Sequence, residues 1–284
     1  MQGGAEVGAA VIESASVLSY GFRRSHRQLR EDLTVRLYPR RKPPHFHEAT
    51  FLANYFDTIE LNVTFYCPVP AHTAAEWIER VSQNPDFLFT AKLWREFTHT
   101  RDLRADNETT PRPAMETLRD AGKLGALLAQ FPWSFKNTKE TIAYLDKLIG
   151  RFRDFPLVIE VRHSSWDKPE FYSWLAERNV GFCNIDQPII GRSLKPGEKT
   201  TSPVGYVRLH GRNYNEWFRE RPDGNASAIY TILNNHPDAK ALVNAFQIIH
   251  GLTGKKLDVP EDMVGRYPIL ETIASSRPKA GFLF

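Results

Sequence analysis

Cysteine is nearly absent: Cys67 and Cys183 are the only two in 284 residues, and neither stands in a CxxC or metal-ligand pattern. That argues against a disulfide framework or a zinc ribbon and fits a reducing compartment. No run of about 18 apolar residues occurs, and no basic segment followed by an apolar stretch opens the chain. The expectation is a soluble, cytoplasmic protein with no membrane attachment. No block of Lys and Arg dominates either. A net charge of +4 and a pI near 9.0 tolerate an anionic ligand without demanding nucleic acid. GxGxxG and the P-loop are both missing, which weakens the case for a doubly wound, nucleotide-binding sheet.

What the chain does contain is alternation. Strand-like runs (Thr58 to Phe65, Phe87 to Leu93, Leu124 to Phe131, Leu157 to Val161, Val180 to Asp186, Gly205 to Gly211, Ala228 to His236) are mostly separated by helix-like segments. Ala74, Trp77, Ile78 and Val81 share one helical face, as do Ile142, Leu145, Leu148 and Ile149. The segment Ala239 to Gly254 reads as a helix stopped by its glycine. Strand and helix in turn imply parallel strands joined by crossovers. An eighth strand around "AAVIESASVLSY" completes the set for an α/β fold, a single (β/α)8 TIM barrel, for which roughly 250 residues are typical.

Polar residues fall at the strand ends with a period of two, so each pair shares a face. Glu60 and Asn62 do this, as do Glu160 and Arg162, Asn184 and Asp186, Arg208 and His210, and Asn234 and His236, while Lys92 and Gln130 end the other two strands. In a barrel, sites are built at the C-terminal mouth. Three carboxylates there (Glu60, Glu160, Asp186) would face three cations (Lys92, Arg162, Arg208), and such a set can stay charged where isolated charges could not.

Several chemistries fit these residue types. Glu60 and Glu160 suit an acid/base pair acting on a sugar or polyol, with His210 in support. Lys92, Arg162 and Arg208 suit a phosphate or carboxylate. His163, His210 and His236 with the carboxylates offer metal ligands, but nearby cations would repel a metal ion, and neither metal nor cofactor is expected. Trp94, Trp133 and Trp166 can stack on a ligand or simply pack; Tyr66 and Gln130 can orient a ligand or bond the backbone. Cys67 and Cys183 read as small core residues. The basic stretch "RLYPRRKPP" is either a solvated loop or a phosphate-backbone contact, so a nucleic-acid-binding or processing barrel is the alternative. If Glu160 sits in a partly wet mouth, Glu160→Gln should change stability little.

The motifs "YFDTIELNVTFYCPVP", "FLFTAKLWREFTH", "LGALLAQFPWSF", "LVIEVRHSSW", "GYVRLHGRN" and "NNHPDAKALVNAFQI", in order from about Phe51 to Pro268, resemble the YecE-like family, domain-of-unknown-function family 72. The resemblance implies a TIM barrel of unassigned reaction. By position it implies a site drawn from Glu60, Asn62, Tyr66, Lys92, Gln130, Glu160, Arg162, His163, Trp166, Asp186, Arg208, His210, Asn234 and Asn235. Two departures stand out. Met1 to Arg36 lacks the family's usual first-strand motif, so residues 1–36 are expected to be an atypical segment that contributes strand one, ahead of a barrel domain at 37–284. The stretch "RNYNEWFRERPDGNASA" is short for a seventh loop plus helix. The expected function is that of a hydrolase- or isomerase-like enzyme. Glu60, Glu160, Asp186 and His210 would do its chemistry, and the remaining residues would bind a small polar, anionic or sugar-like ligand.

Overall fold

Eight strands pair in sequence order, all in parallel, and close on themselves. They are β1 (Val11–Ser14), β2 (Thr58–Leu61), β3 (Leu88–Lys92), β4 (Leu124–Gln130), β5 (Leu157–Glu160), β6 (Gly181–Asp186), β7 (Val204–Leu209) and β8 (Ala228–Leu233). The structure, a computed structural model, describes residues 11–14, 42–104, 111–187, 191–209, 228–233 and 240–275. β1 falls inside the N-terminal stretch expected to supply it and joins the two ends of the sheet, pairing Ile12 with Ile59 of β2 and Val11 with Ile232 of β8.

Helices cover the outside, several of them where the spacing of apolar residues predicts them. Among those described are α1 (Glu48–Leu52), α2 (Val63–Tyr66), α3 (Ala71–Arg80), α4 (Arg112–Asp120), α5 (Lys139–Arg151), α6 (Pro169–Glu177), α7 (Lys240–Thr253) and α8 (Glu261–Val264). α5 shows the local logic. Thr138 and Thr141 satisfy each other's backbone N–H at its start, and Leu145, Leu148 and Ile149 are buried against the sheet. α7 ends as expected, with Gly254 at φ +67°, a left-handed conformation in which a side chain would be strained. The seventh crossover lies outside the described residues.

One strand is shorter than its pattern. β2 stops at Leu61, and Val63–Tyr66 coil into the single turn of α2. Thr64 fixes that turn, donating its hydroxyl within 2.9 Å of the Leu61 carbonyl and 2.7 Å of the Lys92 carbonyl.

Register shows which side chains enter the barrel, because paired residues in adjacent parallel strands point the same way. Glu60 pairs with Thr90, Gln130 with Glu160, Cys183 with Tyr206, and Ile185 with Arg208. Between Phe89 and Thr90 the pairing of β3 with β4 slips by one residue, leaving Gly125 as the extra one. A Cβ at Gly125 would stand 2.2 Å from the Tyr230 hydroxyl oxygen. The glycine therefore lets Tyr230 reach across the interior from β8 to β4. The Tyr206 and Tyr230 rings lie 6.1 Å apart, and burial pushes the Tyr230 phenol up to about 12.

Candidate functional site at the barrel mouth

Two carboxylates and one guanidinium form the centre of the upper barrel. Arg208 on β7 donates from Nη2 to Glu60 Oε1 at 3.0 Å and from Nη1 to Glu160 Oε2 at 2.9 Å. All three side chains are buried, with both carboxylates at 0% exposure. The remaining lone pairs are also used. Tyr206 donates its hydroxyl to Glu60 Oε2 at 2.7 Å and lies 3.1 Å from the Thr90 hydroxyl. Lys92 Nζ stands 3.3 Å from Glu60 Oε1. Glu160 Oε1 accepts from Gln130 Nε2 at 3.0 Å and from Arg162 Nε at 2.9 Å. Burying each of these charges alone would cost several kcal/mol, and the multiple charge-assisted bonds offset that cost.

Burial and the neighbouring carboxylate explain two raised pKa values beside the cluster. The Tyr206 phenol is pushed well up, first by desolvation and then by the charge of Glu60. The Cys183 thiol is pushed well up by desolvation and then by Glu160. Cys183 thus lines the barrel interior, whereas Cys67 is exposed, contrary to the expectation of a core residue.

Above the cluster the mouth opens. Arg162 lies just past β5, with its side chain 28% exposed. Its Nε and Nη2 both address Glu160 Oε1, and its Nη1 has no partner among the described residues. The backbone around it is held by the segment that follows β6: Leu194 N–H donates to the Arg162 carbonyl and Ser164 N–H to the Arg192 carbonyl, each at 2.8 Å. Asn62 is buried one residue beyond the Leu61–Ala91 pair, level with Lys92, and its Nδ2 has no partner among the described residues. Aromatic rings line the rim. Tyr66 is 54% and Trp133 44% exposed, and Phe65 packs edge-on against both Tyr66 at 5.1 Å and His99 at 5.0 Å.

Not every expected residue joins this group. Asn184 and Asp186 face away from it, because on β6 the inward positions belong to Gly181, Cys183 and Ile185. Phe182, on their side of the strand, meets Tyr172 of α6 at 5.0 Å. Asn184 is polar for a structural reason, since it receives the Lys199 N–H and donates to the Lys199 carbonyl, both at 2.8 Å. His163 caps a 3-10 turn (Ser164–Trp166), its Nδ1 accepting from the Ser165 N–H at 3.0 Å. Burial, then Lys136 and Arg192, hold its pKa down. Trp166 is fully buried, stacked on Phe135 at 5.3 Å and donating to the Phe135 carbonyl at 2.7 Å. Its packing leaves no face for a ligand. Arg208 is in the cluster, but both Nη groups are engaged by carboxylates and only 1% of the side chain is exposed. His210, Asn234, Asn235 and His236 lie outside the described residues. Among the described residues no three His, Cys, Asp or Glu side chains are grouped as a metal would need, and no helix is long and apolar enough to cross a membrane.

His99 is the residue that strand-end patterning misses. It sits on a π-helical turn (Glu96–Thr100) that follows β3 and is stopped by Arg101 in the left-handed region at φ 61°. Such turns are uncommon and frequently mark functional sites. Phe97 anchors the turn, fully buried against Phe152 at 5.2 Å, and Tyr144 of α5 donates to the Phe97 carbonyl at 2.5 Å. Only the "FTH" triplet at the end of the strand-three motif hints at it in the sequence.

Known proteins resemble this chain along most of its length. The family model described as "Protein of unknown function DUF72" matches residues 28–264. The UPF0759 protein YunF of Bacillus subtilis (strain 168) is 29% identical over 188 residues, 61% of this chain and 64% of that protein. A crystal structure of a DUF72-family protein from Enterococcus faecalis V583 superposes with a TM-score of 0.67 at 21% identity, covering 89% of this chain and 97% of that one. Another, from Thermotoga maritima MSB8, does so with a TM-score of 0.64 at 25% identity, covering 86% and 99%.

Proposed function

This chain belongs to the DUF72 family of unknown function, and from the composition of its barrel mouth we propose an enzyme that takes a small anionic, sugar- or polyol-like ligand there. The observation that carries the reading is the spare donor on the open side of the cluster. Among the described side chains Lys92, Arg162 and Arg208 gather on Glu60 and Glu160, while Asp186 faces the other way. The cation nearest to solvent, Arg162, has Nη1 unengaged among the described residues. A planar guanidinium with spare donors is suited to a phosphate or carboxylate oxygen.

The residues divide into two tasks. Glu60, Glu160, Arg208 and Tyr206 form a rigid base that holds Lys92, Gln130 and Arg162 in place. Preorganised charge of this kind is what stabilises a developing negative charge in a reaction. Asn62 and Gln130 add polar groups for hydroxyls, and Trp133 and Tyr66 add apolar faces against which a sugar ring packs. The acid/base pair of Glu60 and Glu160 loses support, since every oxygen of both already accepts a donor and neither is exposed. The nucleic-acid alternative rested on the basic stretch Arg36 to Pro44, of which residues 36–41 lie outside the described residues. Within it, Lys42 pairs with Glu48 at 3.3 Å.

Sulfate and phosphate titrations followed by NMR or thermal shift test the proposal. Saturable binding by the wild-type chain that Arg162→Ala abolishes is the expected result. Identical responses from the two proteins would end this reading. Arg208→Ala is unsuitable as the test because it empties the centre of the barrel.

A further inference from the structure

His99 reaches two sides of the mouth at once. It stands after β3, its ring packs on Phe65 from the turn after β2 at 5.0 Å, and Arg162 from beyond β5 is close enough to act on its charge. Those neighbours place the imidazole at the rim, within reach of the Arg162 charge. Its Nδ1 lies 3.0 Å from the buried Thr98 hydroxyl. Nε2 has no partner among the described residues, and the residue is exposed. The π turn, the left-handed Arg101 and the bond from Tyr144 fix a backbone that would otherwise be free to swing.

We propose that His99 is the proton-uptake residue of the mouth: as an anion docks on Arg162, one proton from solvent binds the imidazole and makes it a second donor to that anion. The inference rests on the anion-binding reading above and adds a named group and a direction to it. The charged groups that act on the ring are Arg95 on its own turn and Arg162 beyond β5; Phe65 packs on it from α2, where Tyr66 is the titratable group. Desolvation, then Arg95 and Arg162, hold the His99 pKa below its usual value, so the neutral ring is favoured at pH 7. A bound anion reverses the sign of the nearest field and raises that pKa. By linkage, anion affinity must rise as pH falls through the His99 range, because the bound state holds more protons than the empty one. A proton so gained can be returned to a leaving group of the ligand, which the buried Glu60 and Glu160 are not exposed to do.

Sulfate is the right probe, since its own charge is constant between pH 5.5 and 8. Its affinity for the full chain is measured across that window by calorimetry. The histidine ring signals are followed by NMR in the empty and saturated protein. Binding should tighten roughly tenfold from pH 8 to pH 5.5, the His99 midpoint should move up on saturation, and His99→Asn and His99→Gln should both flatten the slope. Sulfate binding of unchanged affinity across the window, or the same slope in both variants, would overturn the role of His99 and leave the anion site standing. Binding that is absent, or equal in Arg162→Ala and wild type, would overturn the anion site and the inference together.

Discussion

The base of the mouth and its rim use the same residue types to opposite ends. At the base, Glu60, Glu160 and Arg208 are dry, mutually saturated and shielded from solvent. At the rim, Arg162, His99, Tyr66 and Trp133 keep exposed surface and, in the first two, nitrogens without protein partners among the described residues. A charge with every bond made within the protein has little left to offer a ligand; a charge with a donor to spare does. The arginines illustrate it best, since Arg208 and Arg162 bind the same carboxylate of Glu160 from opposite sides.

Breaking the base should produce the largest effect. Glu160→Gln leaves Arg208 and Arg162 without a shared counter-charge at a site of 0% exposure. The sequence-based expectation of a nearly neutral change assumed a wet cavity, and the burial reverses it. A loss of about 3–5 kcal/mol is expected in urea denaturation; a loss under about 1 kcal/mol would show that the base is hydrated after all. At the rim, Arg162→Ala should remove sulfate binding while lowering stability by only about 1–2 kcal/mol, because Glu160 keeps Arg208 and Gln130 as donors. Equal losses in the two variants would erase the distinction between base and rim. Trp133→Ala should be milder still, within about 1 kcal/mol of wild type and without effect on sulfate, while weakening anions that carry a sugar ring. The smallest effect belongs to the thiols. Alkylation of the folded protein at pH 8 should label the exposed Cys67 and leave Cys183 untouched, since burial raises its pKa and closes access. Rapid labelling of Cys183 would mean that the barrel interior opens.

Much of the barrel was legible because it depends on periodicity. Apolar spacing marked α3, α5 and α7, and aliphatic runs marked β2 through β8. Parity at strand ends correctly grouped Glu60, Lys92, Gln130, Glu160 and Arg208. Its failure at β6 has a clear physical origin. A period of two shows which residues share a face but not which face is inside, and Asn184 is polar in order to hold the Lys199 backbone rather than to meet a ligand. His163 and Trp166 fall outside the cluster for a related reason: loop residues follow no period, and their partners, Ser165 and Phe135, are set by tertiary packing. The π turn that carries His99 leaves no signature in hydrophobic spacing at all.

Tyr230 lying across Gly125 has a consequence for traffic. With that phenol spanning the lower interior and the charged cluster packed above it, the barrel is a cul-de-sac with its entrance at the rim. For the ligand proposed above, arrivals and departures would share that one doorway, and a product that keeps the anionic group would compete directly with incoming ligand.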